Sequence, residues 1–215
     1  MGNVPFLSYL DPMADLFGED PPPSTTTDTP REDAPLADRL RPRTLSEVVG
    51  QEHLTGPEGS IGRMVAAGRL SSMILWGPPG TGKTTIARLL ADAVGMRYAA
   101  VSAVFSGVAD LKKAFAEAET AAKAGQKTLL FVDEIHRFNR AQQDGFLPFV
   151  ERGTVTLVGA TTENPSFALN AALLSRAQVL ILERLGHEAL GELLGRAEEL
   201  ERPLPLTEDA RAALI

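Results

Sequence analysis

The chain has 215 residues, 44% of them hydrophobic and 23% charged, ordinary for a globular protein and enough for one large domain or one domain plus part of a second. It contains no cysteine, which excludes disulfides, thiolate zinc sites and cysteine nucleophiles. The net charge of −7 does not exclude a nucleic-acid partner, because residues 1–34 carry seven acids against Arg31 alone and residues 35–215 are close to neutral.

No apolar run approaches bilayer-spanning length, and the N-terminus lacks a basic, hydrophobic signal pattern. The expectation is a cytoplasmic protein with no membrane partner. Residues 1–34 hold six prolines, among them Pro21, Pro22 and Pro23, and few large apolar side chains after Phe17. Such a segment cannot bury enough apolar surface to offset its ordering entropy, so a disordered acidic tail is predicted. Within it, Met13-Ala-Asp-Leu-Phe17 resembles the Leu-Phe peptides by which bacterial proteins dock on the sliding clamp. It lacks their usual leading Gln, and a few hydrophobes in a tail is the alternative.

From Pro35 the pattern changes. Ser72–Trp76 is short and apolar, as a buried parallel strand should be. It runs into Gly77-Pro78-Pro79-Gly80-Thr81-Gly82-Lys83-Thr84, followed by Thr85. This fits G-x-x-x-x-G-K-[ST], in which glycines turn consecutive N–H groups inward to cradle phosphates. The pattern implies ATP or GTP. Lys83 reaches the β- and γ-phosphates, and the Thr84 hydroxyl ligates Mg²⁺. Ile86, Leu89, Leu90 and Ala93 then repeat at helical spacing over 83–94, with Gly95 at the C-terminal cap. Strand, glycine loop and helix together aim a helix N-terminus at the phosphates.

Further strands are predicted at Arg97–Val101, Thr128–Val132, Thr154–Gly159 and Gln178–Leu182. Helices are predicted at 107–124, 139–152 and near 170–175. After Leu182 the pattern is helical only, over 186–201 and, behind Thr207, over 208–215. The alternation predicts an α/β fold: a five-stranded parallel sheet flanked by helices. The apolar run Thr128–Val132 ends in Asp133 and Glu134. Fifty residues beyond the phosphate loop, such an acidic pair places Asp133 with the metal and Glu134 as the general base for an attacking water. His136 has no second His or Cys at zinc spacing.

Asp133-Glu-Ile-His136 closing an apolar strand resembles AAA+ ATPases, especially clamp loaders and the RuvB branch-migration motor. His136-Arg-Phe-Asn-Arg-Ala-Gln-Gln-Asp144 and Gly159-Ala-Thr-Thr-Glu-Asn-Pro-Ser-Phe167 resemble the RarA group (also called MgsA), bacterial relatives of Werner-helicase-interacting protein. Pro35–His53 is similar to the adenine-side entry segment of that clade, and Ala172-Leu-Leu-Ser-Arg-Ala177 agrees with both groups. The resemblance covers roughly 35–215 and implies a P-loop AAA+ module over 35–183 with the start of a helical lid at 184–215. The implied activity is a DNA-dependent ATPase using ATP and Mg²⁺ in replication-fork maintenance and recombination.

By matching positions, Val49 and Gly50 pack around the adenine. Thr162 is the sensor that orients water, with Thr161 a close rival and Asn164 a more distant one. Ser102 is the polar residue that restrains the catalytic glutamate. Arg176 is an arginine finger acting on a neighbouring subunit, which suits its planar donors. Implied partners are forked, gapped or single-stranded DNA ends on the bacterial nucleoid, a homo-oligomer, and a single-strand-binding protein or sliding clamp. The basic cluster Arg39, Arg41 and Arg43 either touches phosphate or a neighbour, or is a salt-bridged segment.

Family members continue beyond this point into sensor 2 and an oligomerisation region, so the expectation is a fragment or a shortened gene product. Two other readings stay open. One is a clamp-loader or RuvB-like motor core, and the other is a nucleotide-binding module that does not hydrolyse.

Overall fold

The computed structural model describes residues 34–201 and 207–214. The expected acidic tail and its Met13–Phe17 peptide therefore lie outside the described residues, Ala34 excepted. Strands β1 (Met73–Trp76), β2 (Arg97–Ser102), β3 (Thr128–Asp133), β4 (Val155–Thr161) and β5 (Gln178–Ile181) form one parallel sheet in the order β2-β3-β4-β1-β5. Most of these strands extend past the last apolar residue that marks them in sequence. Ladder pairing is made by backbone groups and continues through the polar residues Ser102, Asp133 and Thr161.

Helices before the sheet are α1 (Leu36–Arg39), α2 (Glu52–Thr55) and α3 (Ser60–Ala66), with a 3₁₀ turn at Leu45–Glu47. These are one or two turns long, too short to display a helical period in sequence. Within the sheet's connections lie α4 (Lys83–Ala93), α5 (Val108–Lys123), α6 (Arg140–Asp144), α7 (Leu147–Glu151), α8 (Pro165–Ala168) and α9 (Ala171–Leu174). Helices α10 (His187–Glu201) and α11 (Glu208–Leu214) follow the last strand.

Both faces of the central strands β1, β3 and β4 are buried, so these read as continuous apolar runs while their side chains alternate between two cores. Met73, Leu75, Leu129, Phe131, Val158 and Ala160 face Ile86, Leu89 and Leu90 of α4, with Leu54 and Ile61 beneath. Ile74, Leu130, Val132, Val155 and Leu157 face Leu111 and Phe115 of α5, with Phe146 and Leu173. Phe115 is stacked on Phe149 at 3.9 Å between centroids and meets Phe146 edge-on at 5.5 Å.

The helix predicted over 139–152 is two helices broken at Gly145. Pro148 has no N–H to donate, and its ring would crowd the carbonyl of residue 144 in a continuous helix. It sits instead in the first turn of α7, where the missing donor costs nothing. The break turns Phe146 fully into the core.

Gly159 in β4 lies against Ile74 and Ile135, both fully buried. A Cβ at this position would come within 2.9 Å of each δ-methyl. Gly159→Val is expected to lower the unfolding free energy by about 1–3 kcal/mol through overpacking, measured as a lower denaturant midpoint at unchanged slope. Gly159→Ala should cost less, since the two methyl ends can turn aside.

Candidate nucleotide-binding site

In this strand order the C-terminal ends of β3, β4 and β1 lie side by side. The glycine loop leaves β1 at Gly77, which is buried against two neighbouring strands. Its N–H donates to the Thr161 carbonyl at the end of β4, 3.2 Å away. A Cβ on Gly77 would come within 2.4 Å of the Leu182 carbonyl oxygen just past β5, so only glycine allows that approach. Gly80 and Gly82 take φ of +79° and +85°, the left-handed region that side chains disfavour. Pro78 and Pro79 lie between Gly77 and Gly80, and the Thr81 hydroxyl donates to the Pro78 carbonyl at 3.0 Å.

Gly82 caps α4, which begins at Lys83. The Lys83 ammonium is buried and donates to the carbonyls of Gly77 at 2.8 Å and Pro78 at 2.7 Å. Burial pushes its pKa below the ordinary lysine value, and the carboxylates of Glu134 and Asp133 partly offset this. Thr84 is exposed and Thr85 half-buried in the first turn of α4.

Asp133 is the last residue of β3, paired in register with Ser102 of β2. Glu134 adopts φ 51°, ψ 44° and is the one non-glycine residue with positive φ among those described. Such backbone costs of order 1–3 kcal/mol and needs its surroundings to hold it. The Glu134 N–H donates to Asp133 Oδ1 at 3.1 Å, and a 3₁₀ turn over Ile135–Arg137 follows.

His136 is the residue that sequence reasoning passed over. Its side chain is 4% exposed, with Nδ1 3.3 Å from Glu134 Oε2 and Nε2 3.4 Å from Glu163 Oε1. Nδ1 is also hydrogen-bonded to the Thr161 hydroxyl at 2.9 Å. Thr161 is fully buried and its hydroxyl also accepts from the Glu163 N–H at 3.0 Å. Thr162 is exposed immediately beyond the strand. Asn164 caps α8 through a hydrogen bond from the Ser166 N–H.

The donor set fits a nucleoside triphosphate with Mg²⁺. The loop's N–H groups and the start of α4 favour an anion. Lys83 already spends its donors on loop carbonyls that a phosphate oxygen could replace. Among the described residues no group of three His, Cys, Asp or Glu could hold a metal. This suits Mg²⁺, which takes one or two protein oxygens and completes its shell with phosphate and water. Thr84 and Asp133 are the candidates.

The entry segment is fastened to the chain just past β5, the neighbour of β1. Gln51, fully buried, donates from its side-chain amide to the Glu183 carbonyl at 2.8 Å and accepts from the Glu183 N–H at 3.1 Å. Gly50, at φ +74°, is so closely packed that a Cβ would come within 2.8 Å of Leu185, just before α10, and 3.2 Å of Ala189 in α10. Val49 lines an open cleft of about 560 Å³ with Val48, Val65 of α3, and Glu192 and Arg196 of α10. No phosphate-loop residue lines that cleft. The basic cluster is salt-bridged in part: Arg39 pairs with Glu201 of α10, and Arg41 with Asp38 at 2.9 Å. Arg196 donates to the Glu47 carbonyl at 2.8 Å.

Arg176 stands apart from all of this. It follows α9 and precedes β5 by two residues, at the N-terminal edge of a sheet whose C-terminal edge carries Lys83 and Asp133. Strands of this length separate the two edges by about 15–20 Å. The guanidinium is exposed and paired with Glu151 of α7 at 2.5 Å.

A glycine phosphate loop leading into α4, beside an acidic strand end on a parallel sheet, defines a P-loop nucleotide-binding domain. The chain belongs to the AAA family: residues 73–185 match the model described as ATPase family associated with various cellular activities (AAA). The chain is 52% identical over 165 residues to Replication-associated recombination protein A of Escherichia coli (strain K12), covering 77% of this chain and 37% of that protein. It is 45% identical over 186 residues to ATPase WRNIP1 of Dictyostelium discoideum, covering 84% and 21%. It is similar in structure to the Thermotoga maritima RuvB Holliday junction branch migration motor, with a TM-score of 0.60 and 30% identity over 75% of this chain and 54% of that one. The chain thus spans well under half the length of the curated relatives it matches. No helix among the described residues is long and apolar enough to cross a membrane.

A triphosphate needs Lys83 protonated, and the depressed pKa means that fewer molecules carry that proton as pH rises. Affinity for an ATP analogue, followed by fluorescence, should therefore fall as the solution becomes alkaline. Lys83→Ala should weaken binding about ten- to hundredfold, the worth of a charge-assisted contact, and remove the pH dependence.

Proposed function

We propose that this chain is the ATP-binding and ATP-hydrolysing module of a DNA-dependent ATPase that acts in replication-fork maintenance and recombination. The observation that carries the reading is the adjacency of the phosphate loop, the Asp133–Glu134 pair and the end of β4 at one edge of the sheet. The 52% identity to Replication-associated recombination protein A supports the DNA role. We take residues 35–183 as the nucleotide-binding domain and 184–215 as the beginning of a lid. The work is assigned to the bacterial nucleoid in the cytoplasm.

Lys83 and the N–H groups of Gly80, Thr81 and Gly82 hold the β- and γ-phosphates, and Val49 and Gly50 flank the adenine. Thr84 and Asp133 would hold Mg²⁺, which would supply charge neutralisation at the phosphates. Glu134 accepts the proton of the attacking water. Thr162 orients that water: its side chain is exposed at the strand end, whereas the Thr161 hydroxyl is already engaged by His136 and Glu163.

Arg176 serves the site of a neighbouring copy, because it lies a strand length from its own. A homo-oligomer is the natural setting, and forked or gapped DNA is the partner. A contact with single-strand-binding protein or with the sliding clamp, the latter through Met13–Phe17, belongs to the same proposal. A RuvB-like motor core is the second reading, supported by the structural likeness.

Glu134→Gln should bind ATP as well as the parent and hydrolyse it at least a hundredfold more slowly, consistent with loss of a general base. Retained turnover would remove Glu134 from that role. Arg176→Ala should keep nucleotide affinity yet lose turnover, and mixing it with Lys83→Ala should restore some activity if the finger acts between copies. Phosphate release measured with and without forked DNA tests the DNA dependence. Equal rates across a concentration range of the fork would overturn it.

A further inference from the structure

Three groups converge on the His136 ring. The Glu134 carboxylate and the Thr161 hydroxyl both face Nδ1, at 3.3 Å and 2.9 Å, and the Glu163 carboxylate faces Nε2 at 3.4 Å. The ring itself is 4% exposed, Glu134 is 28% exposed and Glu163 60% exposed. A buried polar ring needs partners, and here every partner belongs to the edge of the sheet that carries the phosphate loop. An ionised carboxylate can only accept, so hydrogen on Nδ1 would serve Glu134 and hydrogen on Nε2 would serve Glu163, while the Thr161 hydroxyl can donate or accept.

Resting on the reading of Glu134 as general base, we propose that His136 is a positioning residue that sets the Glu134 carboxylate relative to the phosphate loop. The connection is continuous in the structure. Glu134 faces His136, His136 is bonded to Thr161, and the Thr161 carbonyl accepts from the N–H of Gly77, where the loop begins. The left-handed backbone of Glu134 needs such a hold, since αL geometry is disfavoured for a glutamate and persists only when its surroundings enforce it. Glu163 clamps the ring from the solvent side, so the exposed turn after β4 is joined to the base through a single imidazole. His136 touches neither the phosphates nor the attacking water in this scheme. It acts through Glu134.

The test separates this role from a simple core histidine. The chain has three histidines, so the ring ¹⁵N signals of His136 can be assigned, with His53 and His187 as internal references. At fixed pH, Glu134→Gln and Thr161→Val should each shift the His136 ring signals and leave the other two in place. His136→Asn keeps a donor near Nδ1 but loses the reach to Glu163, whereas His136→Gln places its donor nearer Nε2. Both retain a polar side chain, and thermal melting checks that each is folded.

The expected result is parent-like ATP affinity in both, turnover within a fewfold of the parent for His136→Asn, and a fall in kcat of about tenfold or more for His136→Gln. Ring signals that ignore both Glu134→Gln and Thr161→Val would overturn the proposal. So would full turnover in folded His136→Gln beside an inactive Glu134→Gln. Full turnover in Glu134→Gln would instead overturn the base assignment on which the proposal rests.

Discussion

The site is organised around one close approach, that of Gly77 to the exits of two neighbouring strands. Its N–H is bonded to the end of β4, its carbonyl receives the Lys83 ammonium, and its bare Cα faces the Leu182 carbonyl past β5. A side chain there would strike backbone, which cannot rotate out of the way. The phosphate loop therefore takes its height and direction from β4 and β5 as much as from β1. Closely packed interiors transmit a displacement of this kind, so the loop and the strand ends shift together or not at all.

A second approach sets the acidic side of the site. Gly159 presents no side chain, and Ile74 and Ile135 close over it as two fully buried neighbours. Ile135 can then fold back onto the sheet directly after Glu134, and the reversal appears as the left-handed backbone of that residue. The same turn carries His136 inward to Thr161. Glu134 is thus held by packing on one side and by a polar contact on the other, a combination that suits the general-base role proposed for it, in which the carboxylate must be placed closely.

Arg176 and Gln51 extend the arrangement beyond the local site. Arg176, paired with Glu151, occupies the edge of the sheet opposite the loop, with its guanidinium exposed there. Gln51 binds both main-chain groups of Glu183, and Arg39 and Arg196 tie the entry segment to α10. Buried two-point bonding of this sort is costly to leave unmade. It joins the segment proposed to flank the base of the nucleotide to the chain leaving β5.

Much of this was legible in the chain itself. The glycine loop, its flanking strand and helix, and the acids after Val132 are local patterns whose chemistry depends on neighbours in sequence. The strands could be placed because their runs are apolar, most completely in β1, β3 and β4, which are buried on both faces. The sequence pattern stopped short at the strand ends, where pairing rests on backbone, and it missed the break before Pro148, where one ring outweighed a helical period. Only the tertiary structure decided the strand order that sets β4 between the two motifs and Arg176 at the far edge. It alone brought Gln51 to Glu183 and turned His136, a residue without a metal partner in sequence, toward Glu134 and Thr161. The His136–Thr161 and Gln51–Glu183 contacts join residues 25 and 132 positions apart, and no local periodicity encodes such a pairing. The phosphate loop was written in eight consecutive residues; what holds it opposite the acid pair was not.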